Sequence, residues 1–84
     1  MDITFKLFAT LTDYLPPDAR RSNVMNFEIP DDVTITQIIE PFGIPEKLVH
    51  LVLLNGTYIA PEERATKTLS DGDVLAIWPP VAGG

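Results

Sequence analysis

The residues best suited to chemistry end the sequence, in the run Pro-Pro-Val-Ala-Gly-Gly at positions 79–84. The two glycines lack side chains, so they fit a narrow channel and accept backbone angles that are closed to other residues. The α-carboxyl group of Gly84 has nothing bulky beside it and would be an unhindered reaction centre. A C-terminal carboxyl group has a pKa of about 3.5, so it is ionised at neutral pH and is a poor electrophile until another enzyme activates it.

The proline pair is expected to direct this segment away from the rest of the chain. Proline cannot donate a ladder hydrogen bond and favours a stiff, extended backbone. We therefore divide the chain into a domain at residues 1–78 and an extended tail at residues 79–84. The tail positions expected to enter a partner are Pro79, Pro80, Val81, Ala82 and Gly83. The alternative is a frayed glycine terminus without a role.

A carboxylate of this kind suggests activation by a partner and exchange of oxygen for sulfur. In this hypothesis a partner joins AMP to Gly84, and a persulfide or sulfide then displaces AMP and leaves a C-terminal thiocarboxylate. The chain would be a reagent in such a reaction, with no catalytic residue and no nucleotide site of its own.

The composition limits the other functions that the chain could have. Its 84 residues, 45% of them apolar, suit one compact domain. The sequence has no cysteine, and His50 is its single histidine, so we expect no disulfide and no metal site. A lone histidine without a positioned partner is more often structural or exposed than catalytic, so His50 receives no role.

The charge and the apolar runs predict which classes of partner the chain binds and where in the cell it is found. Twelve acidic and six basic side chains give a net charge of −6, which disfavours nucleic acid binding and favours a partner with a basic docking surface. Acidity would also serve solubility alone. No apolar run approaches the roughly 20 residues of a membrane helix, and the start of the chain lacks the order of an export signal. We expect a cytoplasmic protein that binds no membrane, a location that the lack of cysteine also suits.

Apolar periodicity predicts the first elements that position the tail. Apolar and polar residues alternate over residues 3–9 and again over residues 25–29, which indicates two paired strands. Residues 11–22, rich in proline and charge, are expected to form a surface loop, with one helical turn as an alternative. Thr34 and Gln37 fit the capping box of an amphipathic helix. This helix should be short, because Pro41 disfavours helical geometry at the residue before it.

The second half of the sequence predicts three more strands. The nearly continuous apolar run at residues 48–54 is typical of a central strand covered on much of both faces. Asn55-Gly56 indicates a type I′ turn into a short strand at residues 57–59. A further turn at residues 70–73 leads into a last strand at residues 74–78. The predicted order is β-β-α-β-β-β.

Three parts of the sequence resemble a known family. Asp71-Gly72-Asp73, the strand at residues 74–78 and the ending at residues 79–84 are similar to the small subunit of molybdopterin synthase and its thiamine-pathway relatives, the ubiquitin-like sulfur carriers. Residues 49–56 also look like this family, and together with the first predicted strand the resemblance covers most of the chain. It implies an α+β, β-grasp (ubiquitin-like) fold, a mixed sheet of four to five strands with one main helix packed across it.

The resemblance also implies partners for the tail. These are a ubiquitin-activating-type adenylating enzyme that uses ATP, a sulfurtransferase, and an acceptor enzyme, with no cofactor bound to the chain itself. The proline pair favours the molybdopterin branch, in which the tail inserts into the large subunit of molybdopterin synthase. A role in the thiamine pathway remains an alternative. The proline-rich loop at residues 11–22 and Pro41 depart from the family pattern and bear on the choice of acceptor.

Aromatic residues near the tail suggest a docking surface. Strand alternation places Phe8 and Trp78 on the face opposite Phe5 and Ile77, away from the helix, where large rings would stay partly exposed. The resemblance implies that Phe8, Tyr58 and Trp78 meet the adenylating enzyme and the large subunit. The alternative is that Phe8 and Trp78 only cap a small cluster of their own.

Two further classes of function stay open. The chain could be a protein modifier joined through Gly84 to lysines, as in ubiquitin-like conjugation. It could also be a non-covalent interaction module, for which removal of the tail would change nothing.

Overall fold

Five strands and one short α-helix build the part of the chain that the computed structural model describes, residues 1–80. The strands are β1 (Asp2–Leu7), β2 (Val24–Glu28), β3 (Leu51–Leu54), β4 (Thr57–Tyr58) and β5 (Val74–Trp78), and the helix α1 is Ile35–Ile39. They form one sheet in the order β2-β1-β5-β3-β4. Strands β1 and β5 are parallel, and the other neighbours are antiparallel. This is the β-grasp, ubiquitin-like arrangement that the family resemblance implies, with its elements in the order that the sequence pattern predicts.

The core lies between α1 and one face of the sheet. Phe5 of β1 and Ile77 of β5 are completely buried there, together with Ile35 at the start of the helix. The Phe5 ring stacks on Phe42, with centroids 4.7 Å apart, and meets the edge of Phe27. Burial of such large apolar side chains stabilises the domain by roughly 1.5–3 kcal/mol each.

The helix begins with the predicted capping box. The Thr34 hydroxyl accepts a hydrogen bond from the Gln37 N–H at 3.3 Å, and the Gln37 side-chain oxygen accepts one from the Thr34 N–H at 2.9 Å. Two backbone donors that a helix start would leave unpaired are thereby satisfied.

The helix is short, as expected, but the reason given for its end was wrong. Glu40 keeps right-handed helical angles, with φ −49° and ψ −49°, although Pro41 follows it. The chain tightens into the 3-10 helix Glu40–Phe42 and stops at Gly43, which has a left-handed φ of 73°. Glycine adopts this conformation without steric cost, so Gly43 ends the helical segment.

The segment between β1 and β2 is more than the predicted surface loop. It contains the 3-10 helices Ala9–Tyr14 and Pro17–Ala19. Leu11 and Leu15 are buried in the core at 0% and 1% exposure. A helical turn was foreseen here, but the expected exposure of the whole segment was wrong, because the many charged and proline residues concealed two apolar anchors four positions apart.

The strand expected at residues 48–54 lies inside the sheet, as predicted, but it is shorter than predicted. The strand β3 covers only Leu51–Leu54, because Glu46–Leu48 forms a 3-10 helix. It lies between β5 and β4, and β5 occupies the centre of the sheet. As a result, the tail begins from the middle strand.

Two predicted turns are present and are tied to each other. Asn55 and Gly56 have φ values of 52° and 83°, as a type I′ turn requires, and Gly72 has a φ of 86°. The Asp73 carboxylate accepts a hydrogen bond from the Asn55 amide at 2.8 Å, and Asn55 accepts one from the Val74 N–H at 2.8 Å. Asp73 and Asn55 together therefore hold the start of β5 in place.

Candidate functional site

Two hydrogen bonds hold the end of β5, where the chain leaves the sheet. They are accepted by the last two carbonyl groups of the strand. The Phe8 N–H donates to the Ile77 oxygen at 3.1 Å, and the His50 N–H donates to the Trp78 oxygen at 3.2 Å. Phe8 follows β1 and His50 precedes β3, so the two donors come from opposite sides of β5. We call these two hydrogen bonds the exit clamp, since they fix the strand end from both sides.

The proline pair follows the exit clamp directly. Pro79 is half-buried and Pro80 is exposed, and neither belongs to a strand. Because proline has no N–H to continue a ladder, the sheet ends here as the sequence predicts. The other predicted tail positions lie outside the described residues, and their roles remain predictions: Val81, Ala82, Gly83 and Gly84.

Phe8 and Trp78 form an aromatic stack beside the exit clamp. Their ring centroids are 4.1 Å apart and their planes differ by 3°. Both side chains are half-buried, whereas Phe5 and Ile77 are fully buried on the other side. The two rings therefore lie where strand alternation places them, and they present flat apolar surface beside the start of the tail.

Apolar side chains continue from this stack across the sheet. The strand register pairs Trp78 with Leu51, and it pairs Leu53 with both Ala76 and Tyr58. Paired residues of neighbouring strands project from the same face. We call this surface the outer apolar face; its residues are Phe8, Leu51, Leu53, Tyr58, Ala76 and Trp78.

The predicted docking residues thus belong to one surface, but the prediction missed part of it. Tyr58 is 55% exposed and lies two strands away from Trp78. Leu51 and Leu53 bridge the two and are half-buried. They were missed because an unbroken apolar run indicates burial on both faces, whereas only Val52 and Leu54 are buried in β3.

Arg64 braces the segment that supplies one half of the exit clamp. It is only 8% exposed, and its guanidinium donates to the carbonyl oxygens of Ile59 at 3.2 Å, Val49 at 2.9 Å and His50 at 3.1 Å. His50 in turn holds Trp78 through its N–H. Sequence reasoning missed Arg64, because an arginine after two glutamates in a charged turn looks like an ordinary solvated residue.

The described residues hold little else that suggests chemistry. The His50 side chain is exposed, and His50 contributes to the clamp through its backbone. Within residues 1–80, no group of three or more His, Cys, Asp or Glu side chains could hold a metal ion. No helix in that range has the length and apolar character needed to cross a membrane.

Comparison with protein families classifies the chain. A family described as Mut7-C ubiquitin matches residues 1–83. The chain belongs to the Mut7-C ubiquitin family. The family match includes the exit clamp, the outer apolar face and the tail as far as Gly83.

Solved structures share the fold of this Mut7-C ubiquitin chain. SAMP1, a small archaeal modifier protein from Haloferax volcanii, is 23% identical over all of both chains, with a TM-score of 0.70. A chain from the complex of subunits 1 and 2 of the molybdopterin-converting factor from Helicobacter pylori is 21% identical over all of both chains, with a TM-score of 0.60. The thiamine biosynthesis protein ThiS from Geobacter metallireducens is 17% identical over all of both chains, with a TM-score of 0.64.

Identities this low show the fold alone. Together with the family match, the three structures confirm the ubiquitin-like fold that the resemblance implies. No curated protein matches the sequence.

Proposed function

We propose that the chain is a sulfur carrier for molybdopterin (molybdenum or tungsten cofactor) biosynthesis, with Gly84 as the residue that carries the sulfur. The observation that supports this most is the end of β5. The central strand of a ubiquitin-like domain is held by the exit clamp at Trp78, and Pro79, Pro80 and a Gly-Gly sequence follow directly. A rigid domain of this form can present a narrow peptide to the active site of another enzyme.

The chemistry takes place in two stages, both at the α-carboxyl group of Gly84. In the first, a carboxylate oxygen attacks the α-phosphorus of ATP, pyrophosphate leaves, and an acyl adenylate forms. In the second, sulfide attacks the carbonyl carbon, AMP leaves, and the product is a thiocarboxylate. If a protein persulfide attacks instead, the product is an acyl disulfide, and a second thiol must reduce it to release the thiocarboxylate. The scheme requires that Gly84 carry a free α-carboxylate in the cell.

The partners, in this proposal, supply everything that the chain lacks. An adenylating enzyme of the ubiquitin-activating type binds ATP, a sulfurtransferase provides the sulfur, and the large subunit of molybdopterin synthase accepts it. The chain acts as a co-substrate without a catalytic residue or bound cofactor. The similarity to a chain from the complex of molybdopterin-converting factor subunits supports a large-subunit partner.

The outer apolar face is the surface proposed to meet these partners. Phe8, Trp78 and Tyr58 lie on it together with Leu51 and Leu53. An apolar surface next to the start of the tail lets one docking event position the tail as well.

Intact-mass spectrometry of the chain purified from its own cells tests the proposal. We expect a population whose mass shows one oxygen replaced by sulfur at the C-terminus, and we expect deletion of Gly84 to abolish it. The control is Thr36→Ala, which replaces an exposed residue of α1. This variant should fold normally and retain the modification. Thiocarboxylate in the shortened chain, or none in the intact chain under conditions of active sulfur transfer, would refute the proposal.

Two alternatives predict different results in the same experiments. The similarity to SAMP1 favours a modifier, which would leave Gly-Gly remnants on lysines of other proteins. The similarity to ThiS favours a thiamine-pathway carrier, which would form the thiocarboxylate but transfer its sulfur to a thiamine precursor. Reconstitution with each acceptor enzyme separates the two sulfur pathways.

A further inference from the structure

The two edges of the sheet differ in length and protection. Strand β4 forms one edge with two residues, and β2 forms the other with five. Among residues 1–80, no segment pairs with the outer side of β2. Edge strands are normally protected by lysine, proline or a bulge, but the β2 sequence Val-Met-Asn-Phe-Glu has neither residue type. The Ser22 hydroxyl donates a long hydrogen bond of 3.4 Å to the Val24 oxygen, which protects this edge only weakly.

Hydrogen bonds at the ends of β2 show which of its backbone groups face outward. Met1 and Ile29 exchange two hydrogen bonds of 2.8 Å, and the Leu7 N–H donates to the Asn23 oxygen at 3.1 Å. In an antiparallel ladder, successive residues direct their N–H and C=O groups to opposite sides. Odd-numbered residues of this segment therefore bond to β1. The residues whose backbone groups point to the open edge are Val24, Asn26 and Glu28.

We propose that the outer edge of β2 pairs antiparallel with β2 of a second copy of this chain, around a two-fold axis at Asn26. This is the register in which all five residues of the strand overlap. It places Asn26 opposite Asn26 of the second copy. It also places Val24 opposite Glu28, and Met25 opposite Phe27, each twice by symmetry.

The side chains in this register are complementary. Met25 and Phe27 are half-buried and pack on the core from the helix side of the sheet. Contact of Met25 with Phe27 of the second copy is a favourable sulfur–aromatic contact. An open groove of about 470 Å³ lies beside Phe27, with Val33 and Phe42 in its lining, on the face where Met25 of the second copy would project.

Opposite charges flank the two ends of β2. The exposed Arg20 and Arg21 precede it, whereas Glu28, Asp31 and Asp32 lie at its end and just beyond. Antiparallel pairing brings the basic end of one copy to the acidic end of the other, again twice. This local attraction opposes the repulsion between two chains of net charge −6.

The pairing is small, so the dimer should be weak. One strand edge buries much less than the roughly 1,200 Å² of a standard stable interface. Strand β1 separates β2 from β5, so both copies would keep the exit clamp and the outer apolar face uncovered.

Single-cysteine variants test the register directly, because the natural chain contains no cysteine. Opposing residues whose backbone groups bond to each other have Cα atoms about 5.5 Å apart, within disulfide range. We expect Asn26→Cys to form its disulfide dimer at least about tenfold faster than Glu28→Cys under mild oxidation, because the two Glu28 positions lie roughly 13 Å apart along the strands. A mixture of Val24→Cys and Glu28→Cys should form the mixed dimer preferentially.

Association of the unmodified chain provides the second test. We expect sedimentation equilibrium to show a monomer–dimer equilibrium as the concentration rises to about 1 mM. Asn26→Pro removes an N–H that β1 does not use and should abolish the dimer, whereas Asn26→Ala loses the same side chain and should still dimerise. Equal cross-linking of Asn26→Cys and Glu28→Cys, or a strictly monomeric chain throughout that range, would overturn the proposal.

Discussion

At the scale of single residues, the side chains around the tail divide into those that hold the backbone and those that present a surface. Arg64 is buried and directs its donors to three backbone carbonyl oxygens. Phe8 and Trp78 remain half-exposed and stack on each other. The same region thus contains buried hydrogen-bond support and a partly exposed apolar surface, and mutation of each should have a different effect.

Replacement of Arg64 by methionine tests the support. Methionine fills much of the volume but donates no hydrogen bond, so three carbonyl groups lose a partner and the free energy of unfolding should fall by about 1–3 kcal/mol. The free energy of unfolding of Arg64→Lys should lie between those of the original protein and Arg64→Met, because a compact ammonium cannot reach all three oxygens. Urea denaturation gives the stability, and amide hydrogen exchange at His50 reports on the clamp.

The control for this change is Lys67→Met, which makes the same kind of replacement at an exposed position. It should leave both the stability and the His50 exchange rate near their original values. If Arg64→Met behaves like Lys67→Met, Arg64 does not brace the segment next to Trp78.

Replacement of Phe8 by alanine tests the surface. Loss of the stack with Trp78 should cost about 1 kcal/mol of stability beyond the lost burial. Binding to the adenylating enzyme should lose about 2 kcal/mol or more if the ring is a central contact. Calorimetric unfolding and isothermal titration measure the two effects separately.

Leu11→Ala is the matched control for Phe8→Ala, because Leu11 is fully buried in the adjoining 3-10 helix. It should destabilise the domain by about 2–5 kcal/mol and leave the affinity of the folded protein unchanged. If Phe8→Ala also lowers only the stability and leaves the affinity unchanged, the aromatic pair merely caps a cluster.

At the scale of elements, the short helix depends on its capping box. Thr34→Ala removes the hydroxyl that accepts from the Gln37 N–H, and we expect a loss of about 1 kcal/mol. Thr36→Ala makes the same replacement two residues later at an exposed helical position and should be neutral or slightly stabilising. Thermal unfolding compares the two variants; equal melting temperatures would contradict a role for the cap.

The elements that sequence predicted correctly are those set by neighbouring residues. Thr34 with Gln37, and Asn55 with Gly56, determine local backbone geometry whatever the rest of the chain does. The place of β3 in the sheet depends on which strands pair over long distances, and a local apolar run contains no such information. The burial of Leu11 and Leu15 was missed for the same reason. The parts of the fold that cover them cannot be identified from the neighbouring residues.

The candidate site divides in the same way. The Pro-Pro and Gly-Gly sequence and the aromatic alternation are visible in the printed residues. The exit clamp joins Phe8 to Ile77 and His50 to Trp78, which are 69 and 28 positions apart, and two hydrogen bonds of Arg64 reach back 15 and 14 positions to Val49 and His50. Such hydrogen bonds appear only when the chain is folded.

At the scale of the whole molecule, the sheet separates its surfaces by position. The tail leaves from the central strand β5, the outer apolar face covers β5, β3 and β4, and the open edge lies at β2. The proposed self-association and the proposed docking of partners therefore use different parts of the same sheet. One copy could dock a partner while its β2 edge remains paired.

The net charge of −6 gives the last prediction, which concerns the rate of association with a partner whose docking surface is basic. Long-range attraction raises the association rate constant, and salt screens it over a Debye length of about 10 Å at 0.1 M. We expect the rate constant to fall severalfold as salt rises from about 0.02 M to about 0.5 M, with little change in dissociation. Stopped-flow mixing with the adenylating enzyme measures both rates.

The double substitution of Glu62→Gln and Glu63→Gln provides a second test of this attraction. Both side chains are exposed in the 3-10 helix Pro61–Glu63, so the change removes two negative charges without disturbing the core. It should lower the association rate at low salt and leave the rate at high salt unchanged, because screening has already removed the attraction there. An association rate that is independent of salt in both proteins would show that the acidity serves solubility and does not steer the encounter.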